Sequence, residues 1–250
     1  MAGESPSKKP KYILATDLDG TLVGSRSALS EFNRLMLKHK NDILLVYITG
    51  RTLISAWQLI VQENLLYPHV LITDVGTEIY TPPWFRPDLV WESLMASNWD
   101  EKEIRSVIER IEGLQKQEVH ARFRLAYYTD RTTFKETVAR LFESVRQTKL
   151  PVTIVPSMGY IIDAIPSCAG KGAALQYVQK LYCIKREHTL VCGDSGNDLS
   201  MFLKGYKGIV VGNAQPELKE SIKNIPDEIY LSRSHYAEGI LEGLKSYGVI

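Results

Sequence analysis

Short, uninterrupted runs of apolar residues, each followed at once by polar or glycine-rich residues, are the strongest pattern in this chain of 250 residues. Strands that are apolar on both faces are typical of a parallel sheet covered by helices on both sides. Segments with helical periodicity lie between the runs, as in right-handed βαβ units. The sequence therefore predicts an α/β fold built on a doubly wound parallel sheet. The runs open the segments Tyr12–Thr21, Ile43–Arg51, Val70–Glu78, Thr189–Asp198 and Gly208–Ala214.

The segment from about Pro82 to Pro166 breaks this alternation, because prolines interrupt its start and two helical stretches with shorter strand-like runs follow. We therefore predict a small α+β domain inserted into the sheet domain. The expected division is a flexible Ser/Lys/Pro-rich tail over 1–11, a Rossmann-like core over 12–82 and 167–250, and the inserted domain over 83–166.

The composition excludes several classes of partner. Thirty basic and twenty-nine acidic residues leave a net charge of +1, whereas nucleic-acid binding normally needs a basic excess, so we expect no nucleic-acid partner. No apolar run approaches the roughly 20 residues that cross a bilayer, so we expect no membrane partner. Three cysteines without a CxxC spacing suit a reducing, cytoplasmic location.

Two aspartates close the first apolar run. Asp17 and Asp19 are two residues apart, so extended backbone places both side chains on the same side of the chain, and Gly20 allows a sharp turn after them. Paired carboxylates at a strand end favour a hard divalent cation such as Mg²⁺, which prefers oxygen ligands. The alternative is a simple turn, since aspartate and glycine are common turn residues.

A second acidic strand end lies far along the chain. Gly193 to Asp198 brings two more carboxylates, Asp194 and Asp198, directly after a buried strand. Alone, this segment could be a turn that caps a helix. Ligands of such sheets bind beyond the carboxyl ends of the strands, where both acidic segments fall. Together they predict a metal site.

Two further strand or helix ends carry groups suited to phosphate. Lys171 stands between two glycines at the expected start of a helix, where a lysine is electrostatically unfavourable unless an anion is bound. Thr49, Gly50 and Arg51 offer a hydroxyl, backbone N–H groups and a guanidinium. The alternatives are a solvated surface lysine and a helix-capping threonine.

These four segments, in this order, resemble the motifs of the haloacid dehalogenase superfamily of phosphohydrolases. Asp17–Thr21 matches the DxDGT signature, Thr49 the Ser/Thr motif, Lys171 the Lys motif and Gly193–Asp198 the GDxxND motif. The position of the insert, before the Lys motif, is similar to that of the cap domain in one branch of the superfamily.

A narrower resemblance extends over nearly the whole chain after the tail. The sequence is similar to the sucrose-phosphate phosphatase family, in its short bacterial form without a C-terminal extension. The segments that carry this likeness, beside the four motifs, are Gly76–Tyr80, Asn213–Leu218 and Ser234–Ile240. The predicted cap is the least diagnostic part of the match.

The resemblance implies roles for the acidic residues. Asp17 would be the nucleophile that forms an aspartyl-phosphate, and Asp19 the general acid and then the general base, which requires a raised pKa. Mg²⁺ would be the cofactor, held by Asp17, Asp194 and the backbone carbonyl of Asp19, with Asp198 close by.

The resemblance also implies a set of groups around the phosphoryl oxygens. Thr49 and Lys171 would act in catalysis, and the remaining contacts would come from Gly50, Arg51 and Asn197. Glu78 lies outside the general superfamily motifs, and we expect it to accept hydrogen bonds from the sugar. The alternative for Glu78 is an ordinary surface acid at a turn.

The expected function is therefore a Mg²⁺-dependent phosphatase that hydrolyses sucrose 6-phosphate. Related substrates such as mannosylfructose phosphate or glucosylglycerol phosphate are the nearest alternatives, because the phosphate-binding motifs cannot separate them. A phosphotransferase would share the first half-reaction. A non-catalytic subunit of a sugar-phosphate synthase is a different class of alternative, and a complex with such a synthase is a further expectation.

Overall fold

The computed structural model describes residues 9–82, 84–225 and 228–250. In chain order, its strands are β1 (Tyr12–Thr16), β2 (Ile43–Ile48), β3 (Val70–Thr73), β4 (Glu78–Thr81), β5 (Arg86–Pro87), β6 (Gln115–Lys116), β7 (Leu125–Tyr128), β8 (Val152–Ser157), β9 (Ile161–Pro166), β10 (Thr189–Gly193), β11 (Lys207–Val210) and β12 (Ile229–Leu231). The α-helices are α1 (Arg26–Lys38), α2 (Leu53–Gln62), α3 (Leu89–Ala96), α4 (Glu101–Ile108), α5 (Phe134–Arg146), α6 (Lys171–Leu181), α7 (Leu199–Phe202), α8 (Pro216–Ser221) and α9 (Tyr236–Ser246).

The larger of two sheets has eight strands in the order β12-β11-β10-β1-β2-β3-β4-β5. The six strands from β12 to β3 run parallel, whereas β4 and β5 are added antiparallel at one edge. Every residue of β2 and β10 is buried, as expected for strands covered by helices on both faces. The predicted doubly wound α/β fold is confirmed.

The smaller sheet has four antiparallel strands in the order β6-β7-β9-β8. Helices α4 and α5 cover one face, where Ile104, Ile108 and Leu141 pack on strand residues such as Tyr127 and Ile162 in a core of their own. Side chains alternate between faces along a strand, so Asp163 and its like-facing neighbours point away from these helices.

The start of the predicted insert packs with the larger sheet. Strand β5 pairs with β4, and Trp91 and Met95 of α3 belong to the core around the eight strands. The division at residues 82 and 166 stays a prediction, and Pro83, where it begins, lies outside the described residues. The predicted tail falls mostly on residues 1–8, which are also outside them.

The central position of β1 brings the sequence motifs together. This strand lies between β2 and β10, so the carboxyl ends of three parallel strands meet at one edge of the sheet. Loops leaving these ends carry three of the four sequence motifs, and the other, at Lys171, begins helix α6 after β9. Within the described part of the chain, no helix combines the length and apolar character needed to span a bilayer.

Candidate active site

Three carboxylates from two strand ends converge at the carboxyl edge of the larger sheet. Asp17 follows β1, whereas Asp194 and Asp198 follow β10, and one carboxylate oxygen from each lies within 4.8 Å of the others. All three residues are buried, with at most 5% of their surface exposed. The prediction that these acids meet in space therefore agrees with the geometry.

Lys171 is the counter-ion of this cluster. Its Nζ donates to Asp17 Oδ1 at 2.7 Å and to Asp198 Oδ1 at 2.6 Å, and its side chain is fully buried. Burial alone would lower the pKa of Lys171, but the two carboxylates outweigh it and raise that pKa. The lysine at the start of α6 is therefore charged and fixed between Asp17, the candidate nucleophile, and Asp198 of the GDxxND motif.

Asp198 organises its own loop with its other oxygen. Asp198 Oδ2 accepts from the backbone N–H groups of Asp194 at 2.9 Å and Ser195 at 3.0 Å. Ser195 and Asp198 form a capping box around the 3₁₀ turn Gly196–Asp198. The capping role considered for this segment and its position in the acidic cluster thus coexist.

Residues of the DxDGT motif hold Asp194 in place. Its Oδ1 accepts from the Thr21 hydroxyl at 2.8 Å. Gly20, with φ +80°, lies so close that a Cβ there would be 2.7 Å from Asp194 Oδ2. Only glycine combines this left-handed backbone with this close approach. The turn after Asp19 therefore brings the two acidic loops together.

The cluster has more negative than positive charge. Burial, opposed by Lys171 and reinforced by Asp198 and Asp194, raises the pKa of Asp17 well above its usual range. Burial and Asp198 raise the pKa of Asp194 to about 7. One ammonium among three crowded carboxylates leaves a deficit of positive charge, and all the donors are hard oxygens. This residue set therefore fits Mg²⁺.

The loop after β2 lies beside the loop after β10. Thr49 is buried and its Oγ1 accepts from the Arg51 backbone N–H at 3.1 Å. An ideal Cβ on Gly50 would lie 3.8 Å from Asn197 Nδ2, so these two residues are neighbours. Helix α2 is instead capped by Thr52. Thr49, Gly50, Arg51 and Asn197 thus border the acidic cluster together.

Asp19 is separated from the three buried carboxylates. Its side chain is 50% exposed and forms a two-bond ion pair with Arg51, Nε to Oδ2 at 2.6 Å and Nη2 to Oδ1 at 2.7 Å. Arg51 Nη1 also donates to Ser55 Oγ at 2.9 Å. The two hydrogen bonds raise the pKa of Arg51 and occupy both oxygens of the Asp19 carboxylate. Its predicted proton-transfer role stays a prediction.

Glu78 lies at the start of β4, beside the junction of the two sheets. Its Oε2 accepts from the Tyr80 hydroxyl at 2.5 Å. The two side chains border a small recess with Asp88, Trp91 and Arg122. Burial and the Glu78 carboxylate raise the pKa of Tyr80. Glu78 therefore already accepts a hydrogen bond within the protein, and its predicted contact with the sugar stays a prediction.

A buried ion cluster that the sequence did not indicate joins the two sheets. Arg124, just before β7, lies 3.0 Å from Asp74 Oδ1 in the loop after β3 and 3.2 Å from Asp163 Oδ1 in β9. Burial raises the pKa of Asp163, while the charges of Arg124 and Lys171 oppose that rise. The sequence indicates Asp74 as a polar residue directly after an apolar run, whereas no sequence pattern indicates Arg124.

A family model described as sucrose-6F-phosphate phosphohydrolase matches residues 10–248. A mannosylfructose-phosphate phosphatase of Agrobacterium fabrum is 30% identical over 249 residues, which cover 96% of this chain and 98% of that protein. Sucrose-phosphatase 2 of Nicotiana tabacum is 31% identical over 94% of this chain, but the match spans only 58% of the tobacco protein.

Solved structures give the same result. The sucrose-phosphatase of Synechocystis sp. PCC6803, in complex with sucrose and phosphate, superposes with a TM-score of 0.92 at 31% identity, covering 96% of this chain and 98% of that one. A sugar phosphatase of HAD subclass IIB, at 17% identity, has a TM-score of 0.70 and shares the fold.

Proposed function

The chain belongs to the sucrose-6F-phosphate phosphohydrolase family, and from that premise we propose that it hydrolyses sucrose 6-phosphate to sucrose and phosphate through an aspartyl-phosphate. Its broader class, a phosphoric monoester hydrolase acting on sugar phosphates, follows from the family and its relatives. The observation that carries the proposal is the contact of Lys171 with both Asp17 and Asp198, beside Asp194.

Asp17 is the proposed nucleophile. Lys171 binds Asp17 Oδ1, which fixes the carboxylate and leaves Oδ2 to attack phosphorus. In the first step, the bond from Asp17 to phosphorus forms while the bond from phosphorus to the sugar oxygen breaks. In the second step, water attacks phosphorus and Asp17 leaves as a carboxylate. Lys171 stays charged throughout and offsets the negative charge that develops on the phosphoryl oxygens.

Asp19 is the proposed proton carrier. It would protonate the leaving sugar oxygen and then take a proton from the attacking water. In the structure Arg51 binds both oxygens of Asp19, so this carboxylate must leave the guanidinium before it can reach the substrate. A phosphate group entering beside Thr49 and Gly50 would compete for the same guanidinium. Substrate binding would then free Asp19 at the moment it is needed.

The proposed Mg²⁺ site consists of Asp17, Asp194 and the backbone carbonyl of Asp19. Asp198 adds charge close by, through its contact with Lys171. When bound, the ion neutralises part of the repulsion between an incoming carboxylate and a phosphoryl dianion. Thr21 donates a hydrogen bond to Asp194, and Gly20 leaves the space that the Asp194 carboxylate fills. Both residues therefore hold Asp194 near Asp17.

The proposed phosphate contacts are Thr49, the Gly50 N–H, Arg51, Asn197 and Lys171. These groups come from three loops that meet at one edge of the sheet. Glu78 is proposed to accept hydrogen bonds from the sugar, on the side of the site where the smaller sheet begins. We propose that the smaller sheet acts as a cap, which excludes water from the phosphoryl centre when it covers the loops.

A second substrate is supported by one specific observation. The relative in Agrobacterium fabrum has nearly the same length as this chain and is named for mannosylfructose phosphate. The test is a panel of sugar phosphates scored by released inorganic phosphate, with sucrose 6-phosphate and mannosylfructose phosphate as the decisive pair. A kcat/KM for mannosylfructose phosphate at least about tenfold higher would replace sucrose 6-phosphate as the assigned substrate.

A non-catalytic role is the remaining alternative. A degenerate relative would be expected to lose the nucleophile, the lysine or a metal carboxylate, but Asp17, Lys171, Asp194 and Asp198 are all present and in contact range. Association with a sugar-phosphate synthase stays a proposal, to be tested by co-purification with that enzyme.

A further inference from the structure

Glu217 connects the loop after β10 of the larger sheet with the β8–β9 turn of the smaller sheet. It lies in the first turn of α8, and its Oε1 accepts two backbone hydrogen bonds. One comes from Gly196 N at 2.9 Å, in the loop after β10. The other comes from Met158 N at 2.8 Å, in the turn that joins β8 to β9 of the smaller sheet.

The two segments held by Glu217 are in close contact. A Cβ on Gly196 would lie 2.7 Å from the carbonyl oxygen of Pro156 in β8. That oxygen belongs to backbone, so it cannot move aside as a flexible side chain would. The loop after β10 and the end of β8 are thus packed so tightly that only glycine fits between them.

The loop that Glu217 holds is the one that carries the chemistry. Asp194, Asn197 and Asp198 all lie within two residues of Gly196. The Asp194 and Ser195 N–H groups are bound by Asp198, so the next N–H group in the loop, that of Gly196, is the one offered to Glu217. An ionised carboxylate is a strong acceptor for backbone N–H groups.

We propose that Glu217 is a positioning residue that ties the β8–β9 turn to the catalytic loop, so that closure of the smaller sheet and placement of Asp194 and Asn197 occur together. This proposal rests on the proposed function only for its activity measurement. Glu217 does not touch the reacting atoms. It acts through Gly196 on one side and Met158 on the other.

The direct test is residue-resolved hydrogen exchange of the metal-free and Mg²⁺-loaded protein, without substrate. In Glu217→Ala, we expect the Met158 and Gly196 amides to exchange at least about tenfold faster than in the wild type. In Glu217→Gln, which keeps an acceptor oxygen, most of the protection should remain. The Leu29 amide of α1, which donates to the Ser25 carbonyl, is the internal reference and should stay within about twofold of its wild-type rate.

The matched control is Glu220→Ala on the same helix. Glu220 is exposed and pairs with Lys223 one turn away, so its loss should leave both amides unchanged. Unchanged exchange of Met158 in Glu217→Ala would overturn the proposal, and so would equal acceleration in Glu220→Ala. A purely local role of Glu217 would speed exchange at Gly196 alone, which also contradicts the proposal.

Activity gives an independent readout. In Glu217→Ala, kcat/KM for the sugar phosphate should fall about tenfold or more, while kcat/KM for p-nitrophenyl phosphate should fall less, because a small substrate depends less on closure. Gly196→Ala should have the same effect by steric separation of the two segments. Equal losses on both substrates would contradict linked closure. If wild-type protein hydrolysed no sugar phosphate, the proposed function would fail while the exchange result stood.

Discussion

Arg51 and Asp19 face each other through two parallel hydrogen bonds, Nε to Oδ2 at 2.6 Å and Nη2 to Oδ1 at 2.7 Å. This planar arrangement is the one by which arginine also binds phosphate. The pair therefore joins the candidate proton carrier to a candidate phosphate ligand. In this conformation Arg51 binds Asp19 and not a phosphate group. Separation of the two side chains is therefore part of the proposed reaction.

Replacing Arg51 should weaken the binding of phosphate groups. In Arg51→Met, we expect KM for the sugar phosphate and the inhibition constant of inorganic phosphate to rise at least about tenfold, because a charged two-bond contact is lost. Arg51→Lys should be intermediate, since it keeps the charge but not the fork. The control is Arg34→Met, which breaks an exposed two-bond pair with Glu31 far from the site. Unchanged phosphate inhibition in Arg51→Met would remove Arg51 from the phosphate site.

Asp17→Asn should abolish turnover without unfolding the protein. We expect kcat to fall at least about ten-thousand-fold, because an amide cannot form the aspartyl-phosphate. Asparagine can still accept from Lys171, and it removes one of three crowded carboxylates, so the melting temperature should not fall. Phosphate release and thermal unfolding measure the two effects. Asp42→Asn, at an exposed aspartate, is the control, and turnover by Asp17→Asn at the wild-type rate would show that the nucleophile is another residue.

Mg²⁺ should stabilise the folded protein. The ion binds carboxylates that are crowded together only in the native state, so saturating Mg²⁺ should raise the melting temperature by about 5 °C. Asp194→Asn should lose most of this shift, whereas Asp42→Asn should keep it. The same ionic strength of KCl controls for general salt effects. A full shift in Asp194→Asn would place the ion elsewhere.

Glu78 should affect the sugar and not the phosphate. In Glu78→Gln, kcat/KM for the sugar phosphate should fall about 30-fold, because a charged acceptor for hydroxyl groups becomes a neutral one. The kcat/KM for p-nitrophenyl phosphate should change by less than about threefold. Glu238→Gln, at an exposed position of α9, is the matched control. Equal losses on both substrates would refute the assigned contact.

Asp74 should make the stability of the protein depend on pH. Burial, opposed by Arg124, raises its pKa to about 7 in the folded state, above the value of an unfolded aspartate. The contribution of Asp74 to stability is therefore full below about pH 4 and is lost as the pH rises through about 7. Asp74→Asn removes this loss and suits the backbone, since φ is +51° and asparagine tolerates the left-handed region.

The measurement is the free energy of unfolding by urea between pH 5 and pH 8. Over that range the wild type should lose about 2 kcal/mol relative to Asp74→Asn. Arg124 keeps its partner Asp163 in the variant, so no charge is left alone. Asp42→Asn, with an exposed side chain, should follow the wild-type pH dependence. Parallel curves for the wild type and Asp74→Asn would show that Asp74 does not titrate in this range.

The sequence was most informative where strands are buried on both faces. Strands β1, β2, β3, β10 and β11 coincide with the apolar runs, because a parallel strand covered on both faces is mostly apolar along its length. The sequence does not predict β4, β5 and β12, because all three are short and the edge strands β5 and β12 have no buried residue. Helix α3 escaped too, because Leu89 and Val90 are exposed and hide the helical pattern.

The acidic part of the site was also predictable from the sequence. The acidic segments follow parallel strands, so their meeting at one edge of the sheet could be predicted from chain order alone. The ion cluster of Arg124 with Asp74 and Asp163 joins three separate segments of two sheets, and neither spacing nor periodicity encodes such a meeting. The contact of Asp19 with Arg51 was missed for a related reason. The motifs predict proton transfer for Asp19 and phosphate binding for Arg51, and neither role indicates that the two side chains bind each other.

The position of β1 between β2 and β10 also constrains how the chain is synthesised and folded. Ile13 pairs with Leu44 soon after it is made, but its other neighbour, Thr189, follows only after the whole smaller sheet has left the ribosome. Pairings between such distant segments form late, because closing a long loop is entropically costly. We therefore expect the four-stranded sheet to fold during translation on an unfinished core, and the nascent N-terminal half to require protection from aggregation until β10 arrives.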